Sequence, residues 1–383
     1  MSYAPSTRFF LNPVPTLRSE AQPVADPRAL HRLLPGYAPT PLAEAPRLAA
    51  RLELGRLWIK DESQRMGLPA FKILGAAWAT ARAIERLRGE PLPITSLQAL
   101  IDYVAPLRPL TLAAATDGNH GRAVAYVARL LGLQARIFVP VGTAQPRIDA
   151  IAGEGAQVTV VAGGYDQAVA ESAALASPGC LVISDTSWPG YEQTPRDVID
   201  GYATIFHEID EQLAERAAAQ PDVVLVQIGV GALAAALVRH YRAKPAPPRI
   251  VGVEPTRAAC LLASLQAGRI VTIPEPQDSI MAGLNCGTPS LVAWPIVRAG
   301  LDLLLAIDDE RAREAMRALA TDGIVAGETG AAGAGGLLEL CQNTGLAELR
   351  AAAGLVPGAS VLLISTEGAT DPAAYREIVG AAI

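Results

Sequence analysis

Val223-Val224-Leu225-Val226-Gln227-Ile228-Gly229-Val230-Gly231-Ala232-Leu233 reads as a strand, a glycine-rich turn and the opening of a helix. The strand portion is almost continuously apolar, which suits burial on both faces of a parallel sheet rather than the half-buried alternation of an antiparallel one. The turn lets backbone N–H groups approach an anion at a helix N-terminus without side-chain clash. The same alternation extends in both directions. Strands are expected at 57–60, 111–115, 135–139, 157–161, 181–184, 223–228, 250–254, 303–307 and 360–364. Helices are expected at 72–87, 121–131, 145–152, 166–176, 197–218, 232–241 and 309–321. The pattern specifies an α/β fold, mostly parallel sheet with helices on both faces. Residues 89–110 carry prolines and little periodicity, and read as a connection or insertion.

The chain has 383 residues, enough for about two domains and a large core. Its net charge is −6, with Lys and Arg scattered, which argues against a nucleic-acid partner. No apolar run is long enough to cross a bilayer, so no membrane partner is expected. Met1-Ser2-Tyr3-Ala4-Pro5 lacks a basic start followed by an apolar stretch, so no signal peptide is expected and the cytoplasm is the default. Cys180, Cys260, Cys286 and Cys341 form no CxxC pair, and the four histidines are dispersed, so no metal site is expected.

Three further segments carry chemistry. Lys72 lies in the apolar run Leu68-Pro69-Ala70-Phe71-Lys72-Ile73-Leu74-Gly75-Ala76. Burying its ammonium is unfavourable, so desolvation should lower its pKa and free a nucleophilic amine able to link to an aldehyde. The plainer reading is a lysine snorkelling from an amphipathic helix. Ala115-Thr116-Asp117-Gly118-Asn119-His120-Gly121 follows an apolar strand and opens a helix. Such a turn offers N–H groups to a carboxylate, although Asp117 also reads as an ordinary N-cap. Leu363-Ile364-Ser365-Thr366-Glu367-Gly368 places hydroxyls at the carboxyl end of a strand, where ligands meet parallel sheets, or is simply a polar turn. The glycine turn also fits the dinucleotide pattern G-x-G-x-x-A, with Glu254 ending the next strand where a ribose-binding acid would sit. An NAD-dependent oxidoreductase is therefore a rival, but it leaves Lys72 and the Asp-Gly-Asn-His turn unexplained. A non-catalytic amino-acid-binding regulator is a second rival.

Taken in order, these segments resemble the fold type II pyridoxal-phosphate enzymes. Lys72 matches the lysine that carries the cofactor, Asn119 the asparagine at its 3′ oxygen, and Gly229, Val230, Gly231, Ala232 and Leu233 the phosphate loop. Ser365 matches the hydroxyl near the pyridine nitrogen, with Thr366 as its neighbouring alternative. Within that group the chain is similar to the diaminopropionate ammonia-lyases, through Gly36–Leu42, Lys60–Arg65, Ala70–Lys72, Asp185-Thr186-Ser187-Trp188, Ile280–Leu284 and Gly327–Ala331. Its sharpest marker is Asp117, where most dehydratases of this fold carry serine; Ala70 also departs from the dehydratases. Gly231-Ala232 replaces a longer glycine run.

The resemblance implies a two-domain enzyme, with residues 1–77 and 189–383 forming the large domain and 78–188 a smaller inserted one. It implies β-elimination of ammonia from D- and L-2,3-diaminopropionate to pyruvate, with Lys72 and Asp117 as bases on opposite faces of Cα. Thr116, Asp117, Gly118, His120 and Asp185 are the expected substrate contacts, with Asp185 on the distal amine or else a turn cap. A small-molecule amino-acid substrate and a homodimer are implied, and a Cys260–Cys286 pairing is left open. A serine, threonine or hydroxyaspartate dehydratase is the nearest alternative.

Overall fold

The structure, a computed structural model, describes residues 8–12 and 26–380. Residues 1–5, from which no signal peptide is expected, lie outside the described residues. In chain order the strands are β1 (Phe9–Leu11), β2 (Leu42–Glu44), β3 (Arg56–Asp61), β4 (Thr111–Ala115), β5 (Gln134–Val139), β6 (Gln157–Val160), β7 (Cys180–Val182), β8 (Val223–Gln227), β9 (Arg249–Pro255), β10 (Leu303–Ile307) and β11 (Ser360–Ser365). They form a seven-stranded sheet, β1-β10-β9-β8-β11-β3-β2, and a four-stranded one, β6-β5-β4-β7. The inner strands of the large sheet are parallel, and so is the whole small sheet. Only the edge strands β1 and β2 are antiparallel to their neighbours.

The two-sided burial expected for β8 is present. All five of its residues are buried, and alternate side chains enter two different apolar clusters: Val224 and Val226 in one, Val223 and Leu225 in the other. Helices on both faces follow from this.

All nine expected strands form, within a few residues of their expected ends. Besides short helices that the sequence did not mark, four features stand apart from the expectation. Strands β1 and β2 are only three residues long and give no periodicity to read. Within 89–110 lies a helix, Leu97–Val104, whose N-cap Ser96 Oγ accepts from Ala99 N at 3.1 Å. The helix expected over 197–218 is two, Gln193–Gly201 and Ala203–Glu215, broken at Tyr202. The division placed between residues 77 and 78 falls inside the unbroken helix Lys72–Arg88. Among the described residues, no helix is long and apolar enough to cross a membrane.

This topology gathers five loops at one end of the sheets. Each follows the carboxyl end of a parallel strand: β3 leads toward Lys72, β4 to Asp117 and Asn119, β7 to Asp185, β8 to Gly229, and β11 to Thr366. Open α/β sheets bind ligands at such ends.

Candidate active site

A cleft of about 720 Å³ is bordered by Lys72, Asp117, Asn119, Asp185, Thr366 and the glycine turn from Gly229 to Leu233. Five loops far apart in sequence therefore meet.

Lys72 is the first residue of its helix. Its Nζ donates to Asp185 Oδ2 at 2.7 Å, and 19% of the side chain stays exposed to the cleft. The free amine expected from desolvation is not what the structure holds. Burial does press the pKa down, but Asp185 outweighs it, with lesser help from Tyr202 and Asp117, and the ammonium is held above the usual lysine range. Conversely, burial presses Asp185 up and Lys72 overrides it, so Asp185 lies well below the usual carboxylate range. The second Asp185 oxygen accepts from the Tyr165 hydroxyl at 3.1 Å.

Asp117 borders the cleft from the small sheet. Burial pushes its carboxyl above the usual aspartate range, opposed by Arg147 and Lys72. Its Oδ2 is buried, makes no hydrogen bond, and lies 3.9 Å from Arg147 Nη1. Arg147 also donates to Asp117 O at 3.3 Å and to Thr370 Oγ1 at 3.2 Å, joining the small-sheet side to the loop after β11. Asn119 Nδ2 donates to Glu367 Oε2, whose other oxygen accepts from Thr329 N at 3.2 Å.

Thr116, Gly118 and His120 do not border the cleft. Thr116 Oγ1 accepts from Gly118 N at 2.8 Å, which shapes the turn. His120 is 1% exposed and lies behind Asp185, with Nδ1 3.9 Å from Oδ2. Its Nε2 donates to Ile183 O at 2.7 Å, and burial keeps its pKa low, so the ring is neutral.

The turn after β8 behaves as its glycines require. Gly231 has φ +101°, where a side chain is strained, and caps the helix Ala232–Arg242. Among the described residues, the six successive N–H groups from Gly229 to Ala234 have no acceptor. Gln227, the one polar residue of β8, is 3% exposed. Its Nε2 lies 2.7 Å from Thr366 Oγ1 and 2.9 Å from Ile364 O, which fixes the loop after β11. Of the two hydroxyls there, Thr366 borders the cleft. Ser365 is turned to the opposite face by strand alternation, and its Oγ is buried without a partner. Glu254 is fully buried, and its two oxygens accept from Leu261 N and Leu262 N at 2.8 Å each. It caps the helix Cys260–Ala267 from a fully buried position that does not border the cleft, which argues against the dinucleotide reading. Burial lifts its carboxyl to about 8. Cys260 and Cys286 are free buried thiols, and among the described residues no side-chain group is arranged to hold a metal ion.

These residues fit a phosphorylated aldehyde. Six unpaired amides at a helix N-terminus suit a phosphate, Lys72 suits the aldehyde, and the Thr366 hydroxyl faces the same cleft. The chain belongs to the pyridoxal-phosphate dependent enzymes, whose family model matches residues 33–366, and its fold is fold type II. More narrowly, it is 38% identical over 364 residues to the diaminopropionate ammonia-lyase of Salmonella typhimurium, covering 92% of this chain and 90% of that one. It is 37% identical over 360 residues to that of Escherichia coli K12, with the same coverage. It superposes on the Escherichia coli enzyme, crystallised with an aminoacrylate–pyridoxal-phosphate azomethine reaction intermediate, with a TM-score of 0.88 and 35% identity, covering 97% of this chain and 96% of that one.

Glu367, Gln227, Tyr165 and Arg147 were not singled out by sequence. Gln227 had a signal, a lone polar residue closing an all-apolar strand. The others are unremarkable locally and acquire meaning only from what the fold brings to them.

Proposed function

We propose that the protein is a carbon–nitrogen lyase that eliminates ammonia from D- and L-2,3-diaminopropionate, using pyridoxal 5'-phosphate. The overall reaction consumes one water and gives pyruvate and two ammonia. The observation that carries this reading is Asp185, a buried carboxylate in the cleft that already engages an ammonium at 2.7 Å. A β-amino leaving group must remain an ammonium until its bond to carbon breaks, and Asp185 is placed to hold it. A β-hydroxyl substrate has no such need.

The bound cofactor supplies an electron sink for the charge left at Cα. Lys72 anchors it, and the amides from Gly229 to Ala234 take its phosphate. Asn119, oriented by Glu367, and Thr366, held by Gln227, orient its ring. Lys72 takes the Cα proton on one face and Asp117 on the other, which gives access to both isomers. Burial makes Asp117 a stronger base than an exposed aspartate. Arg147, reaching from Asp117 to Thr370, supports closure of an inserted unit, residues 78–188, over the cleft and exclusion of water. A cytoplasmic homodimer is part of this reading on family resemblance.

An assay of ammonia and pyruvate across D- and L-amino acids with β-amino and β-hydroxyl groups tests it. Release from both diaminopropionate isomers is expected to exceed release from either serine. A preference for the hydroxyl substrates makes the protein a dehydratase instead.

A further inference from the structure

Arg147 stands where helix electrostatics do not favour a cation. It lies in the first turn of the helix Gln145–Gly153, the end at which the dipole favours an acid. Its guanidinium is nearly enclosed, with 11% of the side chain exposed. An enclosed guanidinium is best satisfied by both oxygens of one carboxylate, as Arg65 is by Glu62. Arg147 makes no such pair among the described residues. Its side-chain hydrogen bonds go to two neutral oxygens, Asp117 O at 3.3 Å and Thr370 Oγ1 at 3.2 Å. Its stem lies against the Asp117–Gly118 turn, where a Cβ on Gly118 would lie 3.1 Å from Arg147 Cδ. The charge is thereby held 3.9 Å from Asp117 Oδ2, a buried oxygen with no hydrogen bond.

Arg147 does not border the cleft, so it acts on the site only through a neighbour. The other charged or titratable groups that act on Asp117 are Lys72, Asp185, Glu367, Tyr165 and Cys286. Glu328 and Asp371 also act on Arg147 itself. Lys72 is the one other cation among those around Asp117, and it gives up its free ammonium in holding the cofactor's aldehyde. A guanidinium does not lose its charge. Burial pushes Asp117 toward its neutral form, and Arg147 opposes this most. The lyase reading, on which this argument rests, has Lys72 and Asp117 as bases on opposite faces of Cα, so one face depends on an ionised Asp117. We infer that Arg147 is the positioning residue for the D-isomer: its fixed charge, held outside the cleft, keeps Asp117 a carboxylate able to take the Cα proton. The proton goes to the carboxylate, the electron pair of the broken bond stays at Cα, and Arg147 neither gains nor loses a proton. The L-isomer, served by Lys72, does not depend on it.

The test is Arg147→Met in the cofactor-loaded full chain, which keeps the stem and removes the charge. Ammonia release from each isomer of diaminopropionate is followed against pH. An opposite charge at this distance lowers a carboxyl pKa by about 1–3. The acid limb of kcat/KM for the D-isomer should therefore move up by about one to three pH units, while the limb for the L-isomer stays with the parent's. Below that limb, turnover of the D-isomer should fall about 10- to 1000-fold and recover as pH rises. Arg147→Lys restores the charge without the fork and should return the limb to the parent's. In an Asp117→Asn background, Arg147→Met should add less than about twofold to the loss on the D-isomer, because both changes act through one carboxylate. Equal losses on the two isomers with unmoved limbs overturn the inference alone, as do losses that multiply with Asp117→Asn; Arg147 is then a brace between the two sides of the cleft. If Arg147→Met does not fold, Arg147→Lys decides, and a limb that moves although the charge is kept overturns the inference. A parent active on the L-isomer alone removes Asp117 as the second base and this inference with it. A parent that releases no ammonia from either isomer overturns the lyase reading as a whole.

Discussion

Two buried lysines, twelve residues apart, sit in opposite kinds of polar environment. Lys60 is fully enclosed, and its three donors meet Thr40 O, Glu208 Oε2 and Gln212 Oε1 at 2.8, 2.8 and 3.0 Å. Around it, Arg65 binds Glu62 and Glu208, each within 2.8 Å, so two cations face two anions with no solvent. Lys72 has one carboxylate partner and an open flank, among groups with bare atoms: Asp117 Oδ2 and His120 Nδ1. A satisfied buried network holds a structure in one arrangement, whereas an unsatisfied one is poised to accept something. On that contrast, the first cluster is scaffold and the second is chemistry.

The largest expected effect tests the lysines directly. Borohydride reduction of the cofactor-loaded protein followed by peptide mapping should label Lys72 and leave Lys60 unmodified. Lys72→Ala should lower ammonia release by at least about 10⁴-fold, the upper end for losing a proton-transfer group, since the anchor goes as well. A label on Lys60 would erase the contrast.

The converse change is Glu208→Ala, which leaves two buried cations facing one anion: Arg65 keeps Glu62, but Lys60 loses its one carboxylate partner. A loss of about 3–5 kcal/mol is expected in denaturant unfolding, with kcat per folded molecule within about twofold of the parent. Burial presses Glu208 up, but Arg65 and Lys60 hold it below the usual glutamate range. Its stabilisation is therefore present above about pH 4.3, the ordinary glutamate value, and is lost as pH falls through the depressed one. An unchanged unfolding midpoint would show that the sealed cluster contributes nothing.

The site's second base separates the isomers. Asp117→Asn should lower turnover of D-diaminopropionate by about 10²–10⁴-fold and spare the L-isomer, because Lys72 still serves that face. A base must be ionised, so activity on the D-isomer is lost as pH falls through the Asp117 pKa. Burial raises that pKa, which puts the loss above the ordinary aspartate value of about 3.9. The same shift means that Asp117 favours the fold most when protonated and that this advantage is lost as pH rises. The neutral asparagine should therefore melt no lower than the parent at neutral pH. Equal losses on both isomers would make Asp117 a shared acid or a turn-shaping cap.

The contrast also explains what could be read from the chain alone. Strands buried on both faces announce themselves through unbroken apolar runs, and the loops after them are where a parallel sheet must place a site. Lys72, Asp117, Asn119, Asp185 and the turn at Gly229 could thus be found one by one. The partners that decide their chemistry could not. Arg147 and Tyr165 stand on separate elements, and no motif marks either; Glu367 follows the marked hydroxyls Ser365 and Thr366, but its bond to Asn119 comes only from the fold. Helix Ala332–Gln342 is hidden for another reason. Its glycines lower helix propensity, yet a Cβ on Gly336 would lie 2.5 Å from Val253 Cγ2, so contact with β9 demands what the local rule penalises.

The smallest expected effect concerns two adjacent hydroxyls that sequence could not tell apart. Ser365 Oγ is bare but faces away from the cleft, into packing behind β11. Ser365→Ala removes an atom that nothing uses, so stability should change by less than about 1 kcal/mol and cofactor affinity should not change. Thr366 Oγ1 is held by Gln227 Nε2 at 2.7 Å and faces the cleft. Thr366→Val keeps the shape but removes both the acceptor for Gln227 and the hydroxyl presented to the ring. Its cofactor dissociation constant, read by fluorescence titration, should rise about tenfold, equivalent to about 1.4 kcal/mol. The pair separates a paired hydroxyl that faces the cleft from an unpaired one that does not border it. If Ser365→Ala weakens the cofactor more than Thr366→Val does, then strand alternation has been misjudged at this position and Ser365 is the residue that meets the ring.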